Sequence, residues 1–108
     1  MSTPSNLEAV MGLIMHGGDA KGNAVEAIRC AKAGQFDQAR EYLDKARKAL
    51  NVAHKSQTSL LTQEASGDSV ELSLLMVHGQ DHLMTALTFI DLAKEVVEVY
   101  ERMDQLGG

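Results

Sequence analysis

From Phe36 to Leu60 the apolar residues of this chain step by three and four without a break: Phe36, Ala39, Leu43, Ala46, Leu50, Ala53, then Leu60, with Gln57 as the single amide in the series. A seam of that period fits a helix and does not fit a strand, whose faces alternate every two residues. It therefore predicts one long helix ending near Ala65 and fixes the character of the rest of the fold. A helix with one apolar stripe has to bury that stripe against other helices. Nothing elsewhere in the 108 residues reads as a long alternating strand. The one proline is Pro4, outside any pattern, and aromatics make up only 4%. The chain is predicted to be all-α and a single domain.

Two further helices complete the expected architecture. Leu7, Val10, Met11, Ile14, Ala24, Ile28 and Ala31 repeat at helical spacing over about residues 7–33, with Gly34 as the terminating glycine. Gly17-Gly18-Asp19 interrupts this pattern, and two readings stand: a close helix crossing, or a loop near a ligand. Asn6 or Ser5 is placed to cap the first helix, and residues 1–6 read as a flexible lead-in. Ser66-Gly67-Asp68-Ser69 reads as the second turn, with Asp68 or Ser69 capping a third helix from about Val70 to Met103. The domain is expected to cover residues 7–104, with a flexible tail over 105–108. Three long helices with short turns give an up-down-up bundle.

The third helix has more apolar surface than one bundle uses. With about 100° per residue and His78 at zero, Leu83, Ala86, Ile90, Ala93 and Val97 fall at roughly 60 to 140°. Thr85, Phe89, Leu92, Val96, Val99 and Met103 fall at roughly −60 to 20°. A second stripe needs a second partner, and self-association is the simplest one. Asp81 lies beside that second stripe. In a cyclic oligomer its copies would converge on the axis and repel one another, a situation that a hard cation such as Mg²⁺ relieves.

His78 and His82 stand four residues apart on one face, with Asp81 between them. Three chemistries suit such a pair. Paired helical histidines ligate zinc, but the glutamate of the H-E-x-x-H pattern is missing and Gly79 stands in its place. Ordinary structural histidines are the second reading. The third is a phosphohistidine: one ring nitrogen attacks phosphorus while the rest of the ring is held in the right tautomer. Gly79 would leave room for a partner, and His82 and Gln80 would be nearby donors, although Gln80 falls toward the polar side of the wheel. His16 and His54 are isolated. Cys30 has no second cysteine to pair with, which fits a reducing cytoplasm. The net charge of −5 and the lack of a dense basic stretch argue against nucleic acid. No segment approaches the ~20 apolar residues of a membrane span, so no membrane insertion is expected. No secretory leader is visible either.

The stretch Val77-His78-Gly79-Gln80-Asp81-His82-Leu83-Met84-Thr85 closely resembles the active-site motif of the enzyme IIA components of the lactose/cellobiose (also diacetylchitobiose) family of the bacterial sugar phosphotransferase system. Gly18-Asp19-Ala20, Ala33-Gly34-Gln35-Phe36 and Ala53-His54-Lys55-Ser56-Gln57-Thr58 are similar to the same family, and the resemblance spans about residues 7–104. It implies a cytoplasmic homotrimer of three-helix subunits, a nine-helix assembly. It implies that His78 takes a phosphoryl group on Nε2 from the phosphocarrier HPr and passes it to a cysteine of enzyme IIB, for uptake of a β-linked disaccharide. Asp81 matches the family's metal-binding aspartate, three copies holding one Mg²⁺ per trimer, and His82 and Gln80 match active-site neighbours. The choice of His78 over His82 rests on the resemblance alone. A helical interaction module without chemistry is the competing reading, because the turn Ala33-Gly34-Gln35-Phe36-Asp37-Gln38-Ala39 also suits helical-hairpin adaptors.

Overall fold

Three helices account for nearly all of residues 6–107, which the computed structural model describes: α1 (Leu7–Lys32), α2 (Phe36–Ala65) and α3 (Leu74–Gly107). They run up, down and up in a rod of 62 × 25 × 19 Å. The all-α bundle predicted from the periodicity is the fold of the chain. α1 lies between the other two, which touch each other least.

The two turns use the same device. Gly34 (φ +81°) follows the end of α1 and Gly67 (φ +94°) follows the end of α2, both in the left-handed region open to glycine. The Gln35 amide donates back to the Cys30 carbonyl at 2.8 Å and the Asp68 amide to the Gln63 carbonyl at 3.2 Å. Each bond closes the last helical turn and satisfies a carbonyl that would otherwise be orphaned.

Gly17-Gly18-Asp19 causes no break: α1 is continuous through it, so the loop reading falls. Asn6 occupies the capping position of α1 but its side chain makes no cap bond; Ser5 and the remaining residues of the expected lead-in lie outside the described residues. The start of α3 differs more. The helix begins at Leu74, four residues later than expected, and the cap is Ser73 rather than Asp68 or Ser69. The Ser73 hydroxyl accepts the Met76 amide at 3.1 Å, and its carbonyl accepts the Val77 amide at 3.0 Å. Val70 instead packs in the connection against the core. At the other end α3 continues through Gly107, so residues 105–107 are helix and the expected tail does not begin there. Replacing Ser73 by alanine removes a cap and should cost about 1 kcal/mol in urea unfolding. An unchanged midpoint would show that the hydroxyl contributes nothing.

The interior is rich in alanine. Ala20, Ala24, Ala27 and Ala31 of α1 face Ala39, Ala46 and Ala49 of α2 and Ala86 and Ala93 of α3, around Leu43, Ile90 and Val97. A second cluster at the other end holds Val10, Leu13, Ala53, Leu60, Met76 and Leu83. The apolar stripe Leu83, Ala86, Ile90, Ala93, Val97 is buried as a whole. Its neighbour is not: Leu92, Val99 and Met103 are each more than half exposed, and Met84 and Thr85 are exposed as well. Among the described residues no helix is long and apolar enough to cross a membrane.

Candidate functional site

His78 and His82 project from α3 within its first three turns, above the end of the core formed by Leu13, Met76 and Leu83. The i, i+4 spacing brings their rings together as the sequence predicts. The two Nε2 atoms are 3.0 Å apart, and the rings meet edge to face with centroids at 4.4 Å. At that distance one of the two nitrogens carries the proton and the other accepts it. His78 is exposed and His82 half-buried, so the outer ring is open to an incoming group and the inner one is backed by protein.

Around the pair, polar groups on α3 are held by local bonds. The Thr85 hydroxyl donates to the Asp81 carbonyl at 2.8 Å and lies 3.3 Å from the His82 carbonyl. Gln80 turns away from His78. Its Oε1 accepts the Gln57 side-chain amide of α2 at 2.9 Å, and both side chains are half-buried. Gln57, the polar residue in the α2 seam, thus finds its partner on α3. This bond joins α2 and α3 at the level of the histidines.

Gly79 leaves no opening toward solvent. It is buried, and a methyl added there would meet Leu13 Cβ at 3.2 Å and the Val10 carbonyl oxygen at 3.3 Å. Its role is to let α3 lie close on α1; the room beside His78 comes from the exposure of His78 itself.

Asp81 is exposed, on the side of α3 that carries Thr85 and Leu92. Among the described residues no three His, Cys, Asp or Glu side chains of one chain converge to hold a metal ion. One chain therefore offers a single carboxylate at Asp81 and two imidazoles without a third ligand. Any cage built on Asp81 needs ligands from beyond these side chains. His54 and His16 stand apart: His54 is exposed, and His16 borders a shallow groove between α1 and α2 with Gly12, Val52 and Lys55. Cys30 is half-buried, with Sγ 3.9 Å from Gln38 Oε1.

The family described as PTS system, Lactose/Cellobiose specific IIA subunit, matches residues 8–101. The chain belongs to this family. A cellobiose-specific EIIA component from Lactococcus lactis is 53% identical, the match covering 90% of this chain and 84% of the relative. The crystal structure of a cellobiose-specific enzyme IIA from Bacillus anthracis superposes with a TM-score of 0.93 at 39% identity, covering 97% of this chain and 95% of the other. The IIA(chitobiose) component of Escherichia coli, solved in complex with HPr, superposes with a TM-score of 0.80 at 38% identity, covering 94% and 99%. The chain is thus a IIA component of the lactose/cellobiose/chitobiose class, a group of phosphotransfer proteins. The resemblance of the Val77–Thr85 stretch pointed to this family.

Sequence reasoning did not find two members of the site. One is the Gln57–Gln80 bond, whose partners are 23 residues apart and share no periodic signal. The other is Gly17. Its position was legible as a candidate crossing, but not that it lies against His82.

Proposed function

We propose that the chain is a cytoplasmic phosphohistidine carrier: it accepts a phosphoryl group from HPr on His78 and delivers it to the cysteine of an enzyme IIB, serving uptake of a β-linked disaccharide. The observation that supports it is the exposed His78–His82 pair joined through Nε2, in a chain of this family. The related IIA(chitobiose) component solved with HPr supports the choice of donor.

In this reading the proton between the rings sits on His82 Nε2, and His78 carries its own proton on Nδ1. The His78 Nε2 lone pair then attacks phosphorus as the bond to the donor's imidazole nitrogen breaks, leaving the electron pair on the donor. As the new N–P bond takes up that lone pair, the His82 N–H turns to a phosphoryl oxygen. The next step reverses the roles: a thiolate attacks phosphorus and His78 Nε2 leaves with its lone pair. The carrier is regenerated, so it acts stoichiometrically within a cycle. Gln80 contributes by pinning α3 to α2 beside the pair.

The assembly belongs to the same proposal. The exposed stripe from Thr85 to Met103 forms the seam of a homotrimer, with Asp81 of each copy at the axis. One Mg²⁺ held by three copies of Asp81 would neutralise carboxylates that otherwise repel. Its contribution is to assembly. Asp81→Leu is expected to abolish metal recovered with the purified protein by elemental analysis while leaving the helical circular dichroism intact. Unchanged metal content in that variant would remove the axial site.

Incubation with phosphoenolpyruvate, enzyme I and HPr tests the carrier. Acid-labile phosphate at one per chain is expected; no label would leave the helical interaction module as the better reading.

A further inference from the structure

α1 and α3 cross where two glycines face each other's helix. A methyl at Gly17 would lie 3.2 Å from both the carbonyl carbon and Cβ of His82 and 3.3 Å from its carbonyl oxygen. A methyl at Gly79 would meet α1 as closely, at Leu13 and Val10. These distances are tighter than ordinary van der Waals contact, so a methyl at either position makes the residue facing it give by a few tenths of an ångström. The next residue of α1 has a different relation to the site. Gly18 leaves a space whose nearest occupant is His82 Nδ1, 4.0 Å from where its Cβ would be. The His82 ring is therefore bracketed. Its Nδ1 edge faces α1 at Gly18 and its Nε2 edge faces His78 at 3.0 Å.

We propose that Gly17 and Gly18 are positioning residues for the histidine pair: Gly17 seats the His82 main chain against α1, and Gly18 leaves beside the His82 Nδ1 edge a space that a methyl fits and a larger side chain would press on. This inference rests on the carrier reading for its kinetic consequence but not for its structural one. The Nε2 contact is one hydrogen bond long, and the nearest atoms to a Gly17 side chain all belong to His82, so a local shift of its main chain by a few tenths of an ångström changes its distance to His78, one turn earlier on α3. Hydrogen bonds weaken steeply once stretched or bent. A group held slightly out of place costs a phosphoryl transfer more than it costs the fold.

The glycines of α1 supply their own control. Gly22 has nothing within 4 Å of an added Cβ, so Gly22→Ala changes helix propensity without touching His82. The experiment compares Gly17→Ala, Gly18→Val and Gly22→Ala in two measurements. The first is the nitrogen NMR spectrum of histidine-labelled protein, which reads whether each Nε2 is protonated and hydrogen-bonded. The second is the rate of labelling from phosphorylated HPr across donor concentrations. Gly17→Ala and Gly18→Val should lose the hydrogen-bonded Nε2 signature of the pair. Their labelling should slow by about tenfold in kcat with KM for the donor unchanged, because the surface that meets the donor is not altered. Gly22→Ala should match the wild type in both. The Cβ of Gly18→Val meets only the His82 ring, at ordinary contact distance, so this variant is the milder of the two, and helical circular dichroism checks that each variant is folded.

A wild-type histidine spectrum and rate in Gly18→Val would overturn the proposal, as would equal slowing in Gly22→Ala. The spectrum is read without any phosphoryl donor. A wild-type protein that takes no label would end the carrier reading and leave the positioning claim to be decided by the spectra.

Discussion

His78→Gln protein incubated with phosphoenolpyruvate, enzyme I and HPr is expected to carry no acid-labile phosphate, while His82→Ala protein reaches full labelling about 10²-fold more slowly. The two residues look equivalent in the sequence, and the expected difference between them comes from their surroundings. His78 is exposed, so a donor can reach its ring, and in the proposed cycle its Nε2 is freed for the phosphoryl group as the 3.0 Å contact with His82 Nε2 opens. His82 is half-buried against α1 and reaches only His78. Glutamine at position 78 keeps a polar side chain of similar length but has no basic ring nitrogen, so the acceptor is lost outright. In the proposed cycle, alanine at position 82 leaves the acceptor in place and removes the donor that would fix its tautomer and meet the phosphoryl oxygen. Loss of one such preorganised donor commonly costs 10²–10³ in rate. Labelling of His78→Gln to the wild-type level would show that the acceptor is elsewhere. A wild-type rate for His82→Ala would show that the pair is a structural contact only.

The second large effect concerns assembly. Leu92→Glu is expected to convert the protein from a particle of three times the 11.7 kDa chain mass into a single chain at micromolar concentration, measured by sedimentation. Leu92, Val99 and Met103 lie outside the bundle, exposed by 59%, 57% and 58%. Covering a leucine side chain contributes about 1.5–3 kcal/mol, and the proposed trimer would bring three copies together. A glutamate in that seam loses this contribution and adds three charges that must leave water. Asp91→Ala, also exposed but on the other side of α3, is the comparison and should leave the mass unchanged. A trimer that survives Leu92→Glu would place the subunit contact on another face. A sedimentation mass of one chain for the wild type would remove the assembly altogether.

The alanine-rich interior strengthens this expectation. Alanine lets helices approach closely but removes little apolar surface from water per residue. Several of the larger apolar side chains of α3 lie on the outer stripe. The unfolding temperature of the wild type should accordingly rise with protein concentration by mass action.

How far the chain could be read before folding varied with the kind of signal. α2 was legible, its end expected near Ala65 and found there, because its seam is periodic and the turn at Gly67 follows it. The start of α3 was not, because Val70 and Leu72 extend the apolar pattern upstream and two capping residues, Asp68 and Ser69, precede them. Which hydroxyl meets an amide is settled by the path of the connection, and Val70 is drawn into the core end instead of a helix. The tail was misplaced for the opposite reason: nothing between Met103 and Gly107 stops a helix. Gln80 was assigned to a polar side because a helical wheel carries no information on what lies beside the helix. Here α2 lies there, and an amide that looked solvated is shared with Gln57. The histidine pair itself was fully legible, since both rings are on one helix. Its support was not, since Gly17 and Gly18 come from another.

The late start of α3 has one more consequence. His78 is the fifth residue of a 34-residue helix, so about 38 Å of α3 lies beyond the pair toward its C-terminal end. The histidine pair lies toward one end of α3, and the exposed stripe begins there and runs away from it. Change can therefore accumulate in two separate compartments. In the proposed reading, substitutions near the pair would retune which partners are met, and substitutions along the stripe would retune which chains assemble together. On that reading new partners could be acquired without rebuilding the shaft.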